Sequence, residues 1–208
     1  MGFGMGSTTT PGAERDCHEL LLRLAGRLPD DLLWRYRDWL AGGALDVLAR
    51  ALPRTLLHDR IGCSEREHRL LRNALSPLGA DPAALAALSV RPERPDVGYE
   101  FTSDPPDRGG ADPTLVVLGA ALRGRPGVRE VRCCWRRSPH GDVVRVVLVT
   151  ATGDLPGLTG ELQRMLRALG EHEPVVEVLP TDLDPPAYHR AALRTSELVS
   201  TGADVVPA

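Results

Sequence analysis

The sequence predicts an α+β protein in two parts, an all-helical bundle followed by a strand-bearing unit, and three observations carry that prediction. Between residues 14 and 90, leucines recur at three- and four-residue spacing, interrupted by Pro and Gly, which is the pattern of short amphipathic helices. From Val128 to Thr150 the period drops to two on either side of Ser138-Pro139-His140-Gly141-Asp142, the mark of a β-hairpin. Between them, Arg91-Pro92-Glu93-Arg94-Pro95-Asp96 is charged and Pro-rich, as linkers are. The expected layout is a disordered start (1–13), a helical bundle (14–90), a linker (91–98), an α+β domain (99–200) and a tail (201–208).

The first helix opens at Glu14, aligns Cys17, Leu20, Leu21, Leu24 and Leu28, and closes at Pro29. Cys17 lies on that stripe and reads as a buried, inert thiol. Asp30 and Asp31 suit the positive N-terminus of a second helix, which carries Leu32, Tyr36, Trp39 and Leu40 on one face and ends at Gly42-Gly43. Trp34 falls off that face. Either a neighbouring helix covers it or, flanked by Arg35 and Arg37, it is an exposed anchor for a protein partner. A third helix is expected to stop at Pro53. Ser64 and Glu67 form a capping box for a fourth, burying Leu70, Leu71, Ala74 and Leu75, and Asp81-Pro82 starts a short fifth.

In the second half, Tyr99–Thr102 is a short strand and Asp112-Pro113 caps a helix bearing Leu115, Leu118 and Leu122. In the hairpin, Val131, Cys133 and Trp135 are expected to face the helices. Arg132, Cys134 and Arg136, together with Arg145, are expected on the opposite face. A helix from Asp154 carries Leu158, Leu162, Met165, Leu166 and Leu169, and 174–179 is a strand. Asp184 is expected to cap a final helix over AYHRAALRTSELV. The order β-α-β-β-α-β plus a C-terminal helix is that of a ferredoxin-like unit, an antiparallel sheet with helices on one face.

All 25 basic residues are Arg, and Ile61, Asn73 and Gln163 are the only Ile, Asn and Gln. That usage reflects GC-rich coding, as in an actinobacterium, rather than selection for guanidinium chemistry. The net charge of −3 argues against general nucleic-acid binding. Four cysteines are too few for a disulfide scaffold. The start has no basic or apolar signal region and no run approaches the ~20 apolar residues of a membrane span, so the expected location is cytoplasmic.

The sequence carries no catalytic, metal or cofactor motif. Cys17, His18, His58, Cys63 and His68 lack CxxC or HExxH spacing, so core thiols and surface histidines account for them better than a metal site. Ser138, His140 and Asp142 read as a turn rather than a triad, because no oxyanion element accompanies them. Gly109-Gly110 fits no phosphate loop. Cys133 and Cys134, adjacent on a strand, must point to opposite faces. The arginines of the hairpin are the one constellation left. Without an aromatic beside them, base stacking is unsupported. They fit a covered face, a contact with a second copy, or a clamp for a small anionic ligand.

Two stretches, RPGVREVRCCW and VVEVLPTDLD, resemble the C-terminal domain of the enhanced-serine-sensitivity (SseB-type) proteins over residues ~99–180. The second half is similar also to ferredoxin-like modules that sense small molecules. The resemblance implies a cytosolic accessory or regulatory role and transfers no catalytic residue. The expectation is therefore a non-enzymatic adaptor or regulator, without cofactor, acting through an unidentified protein partner or by self-association through the sheet face. Anion sensing and nucleic-acid binding are the alternatives.

Overall fold

The computed structural model describes residues 11–92, 98–104, 112–171 and 176–202. Helices α1 (Pro11–Leu24), α2 (Asp30–Ala41), α3 (Leu45–His58), α4 (Glu65–Leu75) and α5 (Pro82–Ala87) come first. Strand β1 (Glu100–Thr102), helix α6 (Pro113–Leu122), strands β2 (Val128–Arg137) and β3 (Val143–Ala151), helix α7 (Leu155–Ala168), strand β4 (Val176–Pro180), helix α8 (Ala187–Thr195) and strand β5 (Glu197–Thr201) follow. The class is α+β, with a helical first half. Residues 1–10, the centre of the expected linker (93–97) and most of the tail (203–208) lie outside the described residues. Among the described residues no helix is long and apolar enough to cross a membrane.

In the first half a leucine core forms where the spacing placed it, around Cys17, Leu20, Leu21, Leu24, Leu48, Leu52, Leu56, Leu71 and Leu75. The capping box is present: Glu67 N donates to Ser64 Oγ at 3.3 Å and Ser64 N donates to Glu67 Oε2 at 2.8 Å. Pro53 does not stop α3, which runs on to His58. An interior Pro costs roughly 3 kcal/mol, but breaking the helix there would withdraw Leu52 and Leu56, both fully buried, from the core. Gly26, at φ +75° between α1 and α2, lies against the Tyr188 ring of α8, where a side chain would collide.

The sheet differs from the expected one. A split βαβ unit interleaves its strands and stays antiparallel. Here the order is β1-β2-β3-β4, β3 and β4 pair in parallel, and β5 is a fifth strand paired with β2. The helix expected to continue through SELV ends at Thr195. The physical cause lies in β2, which is ten residues long while β1 covers only Trp135 to Arg137. The remaining edge of β2 needs hydrogen-bond partners, and Glu197–Thr201 supplies them opposite Glu130 to Cys133. Arg132 fixes the corner, its Nε donating to Ser196 Oγ at 2.9 Å and its Nη2 to Ser196 O at 2.8 Å. Asp184 does not cap α8: the cap position is Pro186, and Asp184 pairs with Arg190 at the surface.

Helices cover both faces of the sheet, not one. Leu118 and Leu122 of α6 and Leu158, Leu162 and Leu166 of α7 pack on Val131, Val147, Val149, Val176 and Val178. Against the other face, Leu22 of α1 and Ala192 of α8 meet Cys134, Val146, Leu148 and Leu179. Leu169, expected on the α7 core stripe, is exposed just past the helix end. Helix α2 lies along α7, and Gly160 permits that approach, because a Cβ there would run into Ala41.

Candidate functional site

Five buried polar side chains, His18, Arg37, Arg136, Glu177 and His189, converge between the first two helices, the sheet and α8. Glu177 is the lone charge in the apolar strand β4 and shares a face with Leu148, its partner in register. Its carboxylate accepts from Arg37 Nη1 at 3.0 Å, from Arg37 Nη2 at 2.5 Å and from His189 Nε2 at 2.8 Å. All three side chains are buried. Burial alone would raise the Glu177 carboxyl, but Arg37 and then His189 outweigh it and hold it at about 2. The carboxylate is therefore ionised.

The outward carbonyls of β4 are closed by the same helices. Arg37 Nη1 donates to Val176 O at 2.8 Å and His18 Nε2 donates to Val178 O at 2.9 Å. The carbonyl can only accept, so His18 carries its proton on Nε2. Burial pushes His18 down to about 4, against the pull of that hydrogen bond. An edge strand left open invites another chain. Here two side chains of this chain occupy it.

A second cluster sits farther along the same face. Arg136 pairs with Asp30 of α2, donates to Tyr188 Oη at 3.1 Å and lies over the Tyr99 ring at 4.7 Å. Burial opposes its charge, but the Asp30 and Tyr188 contacts more than offset that and hold the guanidinium protonated. Burial raises Tyr188 in turn, keeping the phenol neutral.

Arg136 and Cys134 are buried and Arg132 is half-buried against Ser196, so of the alternatives for the arginine-bearing face the covered one holds, with α1, α2 and α8 as the cover. Arg145 is not on that face. It stands opposite Trp135 in register, and directly opposed residues point the same way. There it pairs with Asp112 and Glu171 and lies 6.0 Å from the Trp135 ring, which is half-buried rather than in the core. Trp34 is buried between α2 and α7 with Arg167 over its ring at 4.8 Å, and Arg37 is inside, so only Arg35 of that trio is exposed.

The four cysteines are free and buried, and burial pushes Cys17, Cys133 and Cys134 to about 12 and Cys63 to about 11. At neutral pH they are thiols rather than nucleophilic thiolates. Cys133 and Cys134 do split between the two faces. Ser138 Oγ accepts from the backbone N–H groups of His140 and Asp142 and so holds the hairpin turn. Among the described residues no group of three His, Cys, Asp or Glu side chains converges as a metal site. His68 Nε2, within 3.2 Å of the Leu85 carbonyl, is used locally.

As arranged, the polar clusters fasten helices to the sheet. His18, Asp30, Glu177, Tyr188 and His189 were not singled out as site residues by pattern, although a lone Glu in VVEVLP does signal a buried partner for a buried charge. Compared with protein-family models, with curated proteins and with solved structures, the chain matches none of them.

Proposed function

We propose that this protein is a non-enzymatic cytoplasmic adaptor or regulator that works by contact with another protein surface. The supporting observation is the distribution of its side chains. Arg132, Arg136 and Arg145 of the hairpin and Arg37 of α2, which a ligand site would use, point their terminal guanidinium nitrogens at Ser196, Asp30, Asp112, Glu171 and Glu177 of this chain. Of the large apolar side chains left at the surface, the two adjacent ones are on α6, where Val116 is 58% and Val117 39% exposed. A helix bare of charge on both sides is usually buried on both.

The likeness of the second half to SseB-type accessory proteins agrees with this reading. The test is co-purification of the tagged full chain from its source cells, with the bound protein quantified. A stoichiometric partner that Val116→Asp removes, without change in the unfolding midpoint, is the expected result. A reproducible turnover by the purified protein, abolished by a single alanine substitution, would overturn it.

A further inference from the structure

The geometry points to α6 as a self-association surface whose partner is a second copy of this chain, an assignment that rests on the contact-protein reading above and names its partner. Helix α6, PTLVVLGAAL, carries two apolar stripes. Thr114, Leu118, Gly119 and Leu122 form the buried stripe, with Gly119 seated on Val199 of β5. Pro113, Val116, Val117, Ala120 and Ala121 recur at i, i+3, i+4, i+7 and i+8 and are all exposed. That is the spacing of a helix-packing seam, here facing outward. Ala120 and Ala121 leave room for a second backbone.

Charge argues that the occupant is another copy. At the N-terminal end of α6, Asp112 and Glu171 share one cation, Arg145, leaving one net negative charge among the described residues there. Just past the C-terminal end Arg123 is exposed, and among the described residues its guanidinium has no ion-pair partner. Arg123 lies six residues after Val117 and Asp112 five before it. A two-fold axis beside Val117 therefore lays two α6 helices antiparallel, apolar seam on apolar seam, and brings each Arg123 to the acidic end of the other copy. The two helix dipoles oppose in the same arrangement. A seam ten residues long is far under the ~800 Å² per partner of a stable complex, so the pairing depends on concentration.

Sedimentation velocity on the full chain over the micromolar range tests this. The expected mass rises from 22.5 kDa towards twice that value. Val116→Asp, Val117→Asp and Arg123→Glu should each move the midpoint to at least about tenfold higher concentration, with thermal unfolding unchanged because all three sites are exposed. Since the native thiols are buried, Val117→Cys supplies a single exposed thiol that should oxidise to a disulfide dimer, while Ser76→Cys, exposed on another element, should not. A monomer at every concentration, with no cross-link beyond the Ser76→Cys control, overturns the assignment. So does a dimer indifferent to the Val116 and Val117 substitutions. A monomer in which the thiol introduced by Val117→Cys resists alkylation gives the face to the protein's own chain and also overturns it. If the protein is monomeric but Val116→Asp still removes the co-purified partner, the second-copy assignment falls while the contact reading stands.

Discussion

The two faces of the sheet are buried by different means. Towards α6 and α7 the contact is mostly valine on leucine. Towards α1, α2 and α8, Arg136 and Glu177 stand among Cys134, Val146 and Leu148, and each meets an opposite charge from α2. Apolar burial contributes about 25 cal/mol per Å² without regard to direction, so the first face adheres without dictating which residue meets which. A buried ion pair contributes little net stability, but losing one partner leaves an uncompensated charge inside. The second face therefore specifies where the helical half docks, and the first supplies adhesion.

The largest way to break that contrast is Glu177→Leu, which strands Arg37 beside β4 and should cost about 3–5 kcal/mol in urea unfolding. Adding Arg37→Met should recover much of it; a double variant as unstable as the sum of the singles would contradict the specification argument. On the apolar face, Leu162→Ala should cost about 3 kcal/mol and, unlike Glu177→Leu, no substitution across the interface should rescue it.

Acidification should separate the faces next. His18 has its folded pKa depressed to about 4 from 6.5, so the unfolded chain binds the proton more readily. Its contribution is complete above pH 6.5 and is lost as pH falls from there towards 4, about 2 kcal/mol between pH 7 and 5. Glu177, also depressed, loses its contribution only below its ordinary 4.5, as pH falls towards about 2. His18→Gln, which keeps a donor for Val178 O, should flatten the slope between pH 7 and 5. The smallest contrast comes from the adjacent cysteines. Cys134→Ser puts a hydroxyl among apolar neighbours and should cost about 1–2 kcal/mol, while Cys133→Ser, whose Sγ already lies 3.7 Å from the Cys134 carbonyl, should cost less than about 1 kcal/mol.

Much of this architecture was legible. The helices of the first half, the capping box, the hairpin and the opposite facing of Cys133 and Cys134 depend on neighbours three or four residues away, or on strict alternation. Arg145 was misplaced because each arm of a hairpin alternates whatever its register, and only pairing tells which face of one arm matches which of the other. The polar clusters were illegible for a stronger reason. Arg37 and Glu177 are 140 positions apart, His18 and Val178 160, and no local pattern announces such a meeting.

By itself, the sequence determined most of the periodic elements, the caps at Ser64, Asp81, Asp112 and Asp154, the hairpin turn and the α+β class, because those follow from local sterics and from the spacing of apolar residues. Only the tertiary structure decided the parallel pairing of β3 with β4, the capture of Glu197–Thr201 by the free edge of β2, and the use of the arginines as internal fasteners. Each depends on an unsatisfied backbone edge or a buried charge finding a partner far along the chain, and that is decided by which surfaces meet once the chain has packed.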